Sequence, residues 1–251
     1  PAIPLYSLCY VVQVYEYVKF TGDKSILPEV GKTLDGIMNN FRKLADNRLI
    51  ADFQYPFWNF YEWGNDSDNC GDLSRQKDAL SPTRYSLILN AYYVYAEERF
   101  AALFSDKATD VGGIKELISA EFYNPDKKMF RAYKGEENYT EFANAMAILI
   151  GVGDKTVARE IAEGKAKKAT LAAAAYVYDA LLSYGDEFKE RVLSEIDDNY
   201  KKMLDAGATS FWETLEGVTE NDRSCSLCHG WSALPIYYYA VTGKIKYEKE
   251  D

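Results

Sequence analysis

The chain has 251 residues, of which 47% are hydrophobic and 27% charged, the balance of a globular protein large enough to bury a substantial core. A net charge of −10 argues against a nucleic-acid partner, whose phosphates call for lysine and arginine. No apolar run reaches the roughly 18 residues of a membrane-spanning helix, so no membrane partner is expected, and four cysteines are too few for a disulfide scaffold.

The chain opens PAIPLYSLCYVV, straight into an apolar segment with no initiating Met and no signal peptide, which reads as a piece of something longer and leaves the compartment unreadable. Positions 5–20 are apolar or aromatic almost throughout, broken by Gln13, Glu16 and Lys19, which predicts a helix buried on most sides. Leu27, Val30, Leu34, Ile37, Met38, Phe41 and Leu44 then recur at three- and four-residue steps, the mark of a one-faced helix. The alternation continues with a buried segment at 84–104 and a short one-faced one around Val111–Ile118. Residues 141–153 read as buried and 156–163 as mostly polar. Residues 170–185 are buried again, 188–203 are one-faced, and 231–243 are buried. Short paired strands are expected only near FYNPDKKMFRAY, at 122–133. Several helices run from a tyrosine pair to a glycine, the residue that ends a helix in the left-handed conformation. About nine helices, apolar all round and one-faced by turns, predict an all-α toroid with an inner and an outer ring, in one domain over residues 1–251; a generic helical bundle is the plainer alternative.

Polar and aromatic residues gather in three loops that flank the buried helices. The first, 53–72, holds Trp58, Glu62, Trp63, Asp66 and Asp68; the second, 207–217, holds Trp212, Glu213 and Glu216; the third, 224–235, holds His229 and Trp231. Every tryptophan of the chain lies in these loops. Aromatic faces stack on the C–H faces of a pyranose, and carboxylates and histidine bind hydroxyls or move protons, so the clustering suits a sugar. Each tryptophan taken singly is as readily a core residue, and Glu213 taken alone is as readily a surface or capping carboxylate.

The third loop also spells Cys225-x-x-Cys228-His229, the pattern of covalent haem attachment. A haem needs a second axial ligand and zinc a fourth; only Met203, or a convergence of Cys9 and Cys70, offers one. A thioredoxin-like pair expects a βαβ context, which is absent. The cysteines read as small apolar residues, and neither a cofactor nor a metal is expected.

GATSFWETLEG, followed by SLCHGWSALPIYYY, resembles the C-terminal hairpins of bacterial α-L-rhamnosidases of glycoside hydrolase family 78. So do IPLYSLCYVVQVYEYVKFTGD, the acidic-Trp loop YEWGND, and YTEFANAMAILIGV, in the family's order along nearly the whole chain. The resemblance implies a six-hairpin (α/α)6 barrel and inverting hydrolysis of terminal α-L-rhamnose in a bacterial protein of cytoplasm or periplasm. It puts the general base on Glu213, a sugar contact on His229 and a pocket wall on Trp63, with Tyr6 where some members carry another pocket tryptophan. Trp58, Glu62 and Trp212 complete the candidate substrate contacts; Glu62-Trp63 stands where Asp-Trp is common. The family's Arg- and acid-rich segment, which holds the general acid, has no counterpart here. By helix count roughly a quarter of the barrel is missing as well. The chain is therefore expected to be the C-terminal part of a catalytic barrel, inactive alone, with an open flank available for self-association. Other (α/α)6 sugar enzymes (an unsaturated-glucuronide hydrolase, a lyase or an epimerase) and a non-catalytic carbohydrate-binding toroid remain as alternatives.

Overall fold

The computed structural model describes residues 2–46, 48–63, 83–217 and 226–245, and among them nine α-helices carry the fold. In chain order these are α1 (Pro4–Thr21), α2 (Leu27–Ala45), α3 (Leu87–Leu103), α4 (Gly112–Phe122), α5 (Glu141–Leu149), α6 (Lys155–Ala162), α7 (Leu171–Leu182), α8 (Lys189–Asp205) and α9 (Pro235–Val241). Helices α1, α3, α5 and α7 stand side by side in that order, each packed on the next. Around them α2 bridges α1 and α3, α6 bridges α5 and α7, and α8 bridges α7 and α9, while α4 packs on α3. This is the double ring that the alternating periodicity predicts. The inner α3 and α5 are buried almost throughout, whereas α2 buries only the stripe Leu34, Met38, Phe41 and Ala45. The only strand pair among the described residues joins Tyr123 to Phe130 and Asn124 to Met129 antiparallel, within the stretch that promised one.

Two helices depart from expectation. Both α1 and α9 read as buried on most sides, yet α1 exposes Tyr6, Tyr10, Tyr17 and Phe20, and α9 exposes Ile236, Tyr237 and Val241. Phe20 is 65% exposed and Ile236 68%. The two faces meet where Phe20 touches Tyr237 edge-on, and no inner helix among the described residues covers them. Apolar composition records that a face suits a neighbour, not that the neighbour is there. Residues 156–163 also depart slightly: the short helix α6 buries Val157, Ala158 and Ile161.

The chain enters the inner helices through buried polar clamps. Asn90, in the first turn of α3, donates from Nδ2 to the Ile50 and Ser86 carbonyls at 2.9 and 2.8 Å and accepts from the Ile50 N–H at 2.7 Å. Asn144 repeats this in α5, donating to Phe130 and Thr140 and accepting from the Phe130 N–H. Ser86 and Thr140 cap the same two helices. One primary amide thus satisfies both backbone groups of a buried crossing residue. At its outer end α1 stops at Gly22, whose φ of 70° suits glycine and whose N–H closes on the Val18 carbonyl at 2.8 Å.

Buried charge latches the two rings together. Arg42 of α2 holds the buried Glu97 of α3 with both carboxylate oxygens, at 2.7 and 2.8 Å. Arg191 of α8 reaches both Glu141, at the start of α5, and Glu195. Burial pushes Glu141 up from 4.5 to about 7; the Ala169 N–H pulls it back, Glu195 raises it further, and Arg191 lowers it. The folded state therefore keeps a proton that the unfolded chain releases, so this group's stabilisation is full below about pH 4.5 and is lost as pH rises through about 7. The melting temperature should fall across that window, and Glu141→Gln should flatten the fall. A slope identical to that of the parent protein in thermal scans from pH 4.5 to 8 would contradict this assignment.

Candidate functional site

The described parts of the three loops singled out in the sequence converge at the N-terminal ends of the inner helices. Residues 210–213 and 226–229 run side by side as a short ladder, with the Glu213 N–H on the Ser226 carbonyl and the His229 N–H on the Phe211 carbonyl, both at 2.8 Å. Ser210 adds a hydroxyl bond to the Leu227 carbonyl. The ladder fixes the backbone on either side of Glu213.

The Glu213 side chain is then held by both oxygens. Oε1 accepts the Trp63 indole N–H at 3.0 Å, and Oε2 accepts the Ser226 N–H at 2.8 Å. His229 Nδ1 lies 3.8 Å from Oε2, an ion-pair distance rather than a hydrogen bond. The His229 ring packs on Trp231 at a tilt of 44° with centroids 4.0 Å apart, and Trp231 donates its own indole N–H to the Glu213 carbonyl at 3.0 Å. Two tryptophans thus grip one glutamate, one by side chain and one by backbone.

The acidic-Trp loop supplies the opposite wall. Trp63 meets Phe60 edge-on at 4.9 Å and Trp58 at 6.3 Å, and Phe60 continues to Tyr6 at 6.1 Å. Three neighbours in the loop turn toward the scaffold. Asn59 exchanges two hydrogen bonds with Phe53, Tyr61 donates to Asp52 at 2.8 Å, and Glu62 accepts from Thr170. Burial pushes Asp52 up to about 6 despite the Tyr61 bond.

Beside these walls opens a cleft of about 990 Å³ between α1, α3 and α7. Tyr6, Phe60, His229 and Trp231 line one part of it. Tyr10, Tyr92, Tyr95 and Tyr176 add a tyrosine lining, with Gln13, Glu16 and Asp179 among the polar groups. The Tyr92 and Tyr176 hydroxyls bond each other at 2.7 Å. Burial raises the Asp179 carboxyl, which accepts the Tyr238 hydroxyl.

The structure therefore brings together Tyr6, Trp58, Trp63, Glu213 and His229. Trp58 is packed by its ring, its N–H without an acceptor among the described residues. Glu62 is 1% exposed and, like Trp58, Trp63 and Glu213, is absent from the lining of the cleft itself; Trp212 packs against the core and Gly217. Asp66, Asp68, Cys70 and Cys225 lie outside the described residues. Among the described residues no group of three or more His, Cys, Asp or Glu could hold a metal ion. Cys228 is exposed, and burial pushes the Cys9 thiol in the cleft wall up to about 11, far from a reactive thiolate. Phe60, Ser226 and the inner-ring tyrosines escaped the sequence reading. Tyrosines inside otherwise apolar helices were the available signal for the last group.

The family model for the bacterial alpha-L-rhamnosidase 6 hairpin glycosidase domain matches residues 4–241. The GH78 family rhamnosidase of Bacillus sp. GL1 superposes with a TM-score of 0.77 at 20% identity, over 94% of this chain and 26% of its own. A rhamnosidase from Klebsiella oxytoca, determined with rhamnose bound, gives 0.75 at 18% identity, over 97% of this chain and 48% of its own. The chain thus spans about a quarter and about half of the lengths of these two proteins. No curated protein matches.

The turn after Glu213 closes at Gly217, whose φ is +60° and where a Cβ would sit 2.9 Å from Trp212 Cε3. Gly217→Ala should destabilise the fold by about 1–3 kcal/mol, from backbone strain and overpacking together. Unfolding in denaturant with an unchanged midpoint would show that the turn tolerates a side chain.

Proposed function

Since the chain belongs to the bacterial α-L-rhamnosidase six-hairpin glycosidase family, we propose that it forms part of a glycoside hydrolase that removes terminal α-L-rhamnose with inversion, Glu213 acting as general base. The observation that carries this reading is the carboxylate of Glu213, held through both oxygens by Trp63 and Ser226 and flanked by His229.

An inverting reaction needs a carboxylate that draws a proton from a water attacking the anomeric carbon opposite the leaving group. A second carboxyl group, about 6.5–9.5 Å away, protonates the departing oxygen. A base must hold its direction while the water is in line, and two fixed donors, one on each oxygen, supply that. Once the water gives up its proton, the Trp63 and Ser226 N–H groups keep the carboxyl oriented for the next turnover. His229, packed on Trp231, and the rings of Trp63 and Tyr6 suit the hydroxyls and the C–H face of a deoxy sugar; Trp58 and Trp212 back the walls. The bound rhamnose of the Klebsiella oxytoca rhamnosidase favours the same sugar class. In this reading the proton donor comes from a segment upstream of residue 1.

In the full-length protein, Glu213→Gln should lower kcat on an aryl α-L-rhamnoside by about 10²–10⁴-fold with the fold intact. Near-normal turnover would remove Glu213 from the role of base. The first product seen by proton NMR should be β-L-rhamnose; the α anomer would refute inversion. His229→Ala should mainly raise KM, and an unchanged KM would count against sugar contact. Residues 1–251 alone should not cleave the substrate, and a kcat/KM matching the full-length protein would place the acid within them.

A further inference from the structure

We propose that Glu62 is a positioning residue, acting on Glu213 through Trp63 by tying the acidic-Trp loop to the start of α7, and not by touching sugar. The proposal rests on the reading of Glu213 as general base.

Glu62 is 1% exposed, whereas Trp63 and Glu213 both keep accessible surface, so Glu62 reaches neither a sugar hydroxyl nor a leaving group. Its Oε2 accepts the Thr170 backbone N–H at 2.9 Å and the Thr170 hydroxyl at 3.2 Å. Thr170 is the N-cap of α7, and its side chain caps no N–H of its own helix. The Glu62 carboxylate therefore sits against the positive end of an inner helix, where a negative charge is favoured. Inner helix α7 is flanked by α5, α6 and α8, so this anchor is rigid.

The next residue is Trp63, whose indole N–H bonds Glu213 Oε1 at 3.0 Å. One peptide unit separates the anchor from the residue that grips the base. If the anchor is released, what holds the Trp63 ring among the described residues is its packing on Phe60 and Trp58. Glu213 then retains the Ser226 N–H on Oε2 alone and turns about that bond. A charged anchor is suited to this place because a carboxylate oxygen accepts two donors at once, here an N–H and a hydroxyl of the same residue.

The chain's four tryptophans make the test direct, because each gives one indole resonance in a ¹H–¹⁵N spectrum of residues 1–251, assigned by Trp→Phe variants. The Trp63 indole N–H is bonded to the Glu213 carboxylate, and Glu213→Gln, which turns that acceptor into a neutral amide, should move its resonance. The Trp231 indole is bonded to the Glu213 backbone carbonyl and serves as the reference. In Glu62→Ala the response of Trp63 to Glu213→Gln should be lost while the Trp58, Trp212 and Trp231 resonances stay in place. Glu62→Gln, which keeps an acceptor but no charge, should diminish the response. A Trp63 resonance that answers Glu213→Gln in the Glu62→Gln background as in the parent protein overturns the proposal. Joint collapse of all four resonances in both variants also overturns it, since Glu62 would then hold the fold at large. This readout needs no turnover, so failure of Glu213 as base would appear in the kinetics of Glu213→Gln and leave the Trp63 coupling untouched.

Discussion

Backbone that crosses the buried mouth of a helical ring has N–H and C=O groups with no water to receive them, and leaving one unpaired costs about 1–3 kcal/mol. The fold meets that constraint with side chains that face two ways. Asn90 and Asn144 each serve a crossing residue with a paired donor and acceptor, Asn59 does the same for Phe53, and Glu62 receives the N–H of Thr170, the N-cap of α7. These clamps turn loops into fixed parts of the scaffold. A site built on loops that are clamped in this way gains the precision otherwise reserved for helices and strands.

The candidate site inherits that order. In the acidic-Trp loop Asn59 and Glu62 face the scaffold, Phe60 and Trp63 face the site, and Tyr61 lines the cleft while its hydroxyl bonds Asp52, so the polar anchors and the aromatic wall come from one short stretch. On the other side the ladder between 211–213 and 226–229 sets Glu213 and His229 on neighbouring strands of chain. The indole N–H of Trp63 closes the gap between the two halves, and that of Trp231 ties the ladder side to the Glu213 backbone. Tryptophan suits both tasks, since it offers a ring to a sugar face and a donor to a carboxylate.

Much of this was legible in the sequence. The inner and outer rings showed in the periodicity because α3, α5 and α7 touch neighbours on every side while α2 and α8 touch them on one. The faces of α1 and α9 did not show, because the same apolar residues mark a covered face and an uncovered one. Glu213, Trp63 and His229 stood out as aromatic and ionisable residues in polar loops, and the resemblance gave them roles. The CxxCH spelling draws the eye to His229, whose neighbours among the described residues are Trp231 and Glu213. Ser226 opens the SLCH stretch, yet its role did not show there, because what it contributes is a backbone N–H, which every residue but proline has. The asparagine clamps were hidden for a related reason. Ser86-x-x-x-Asn90 and Thr140-x-x-x-Asn144 are ordinary polar spacings until the strands they hold are seen beside them.

The central claim is that the carboxylate gripped by Trp63 and Ser226 faces the anomeric carbon from the side opposite the leaving group. A crystal structure of the full-length protein with L-rhamnose bound tests it most directly. The account predicts the sugar ring against Trp63 and His229, with Glu213 one bridging water from C1 on its β face. Rhamnose bound with C1 turned away from Glu213, or seated elsewhere in the barrel, would contradict it.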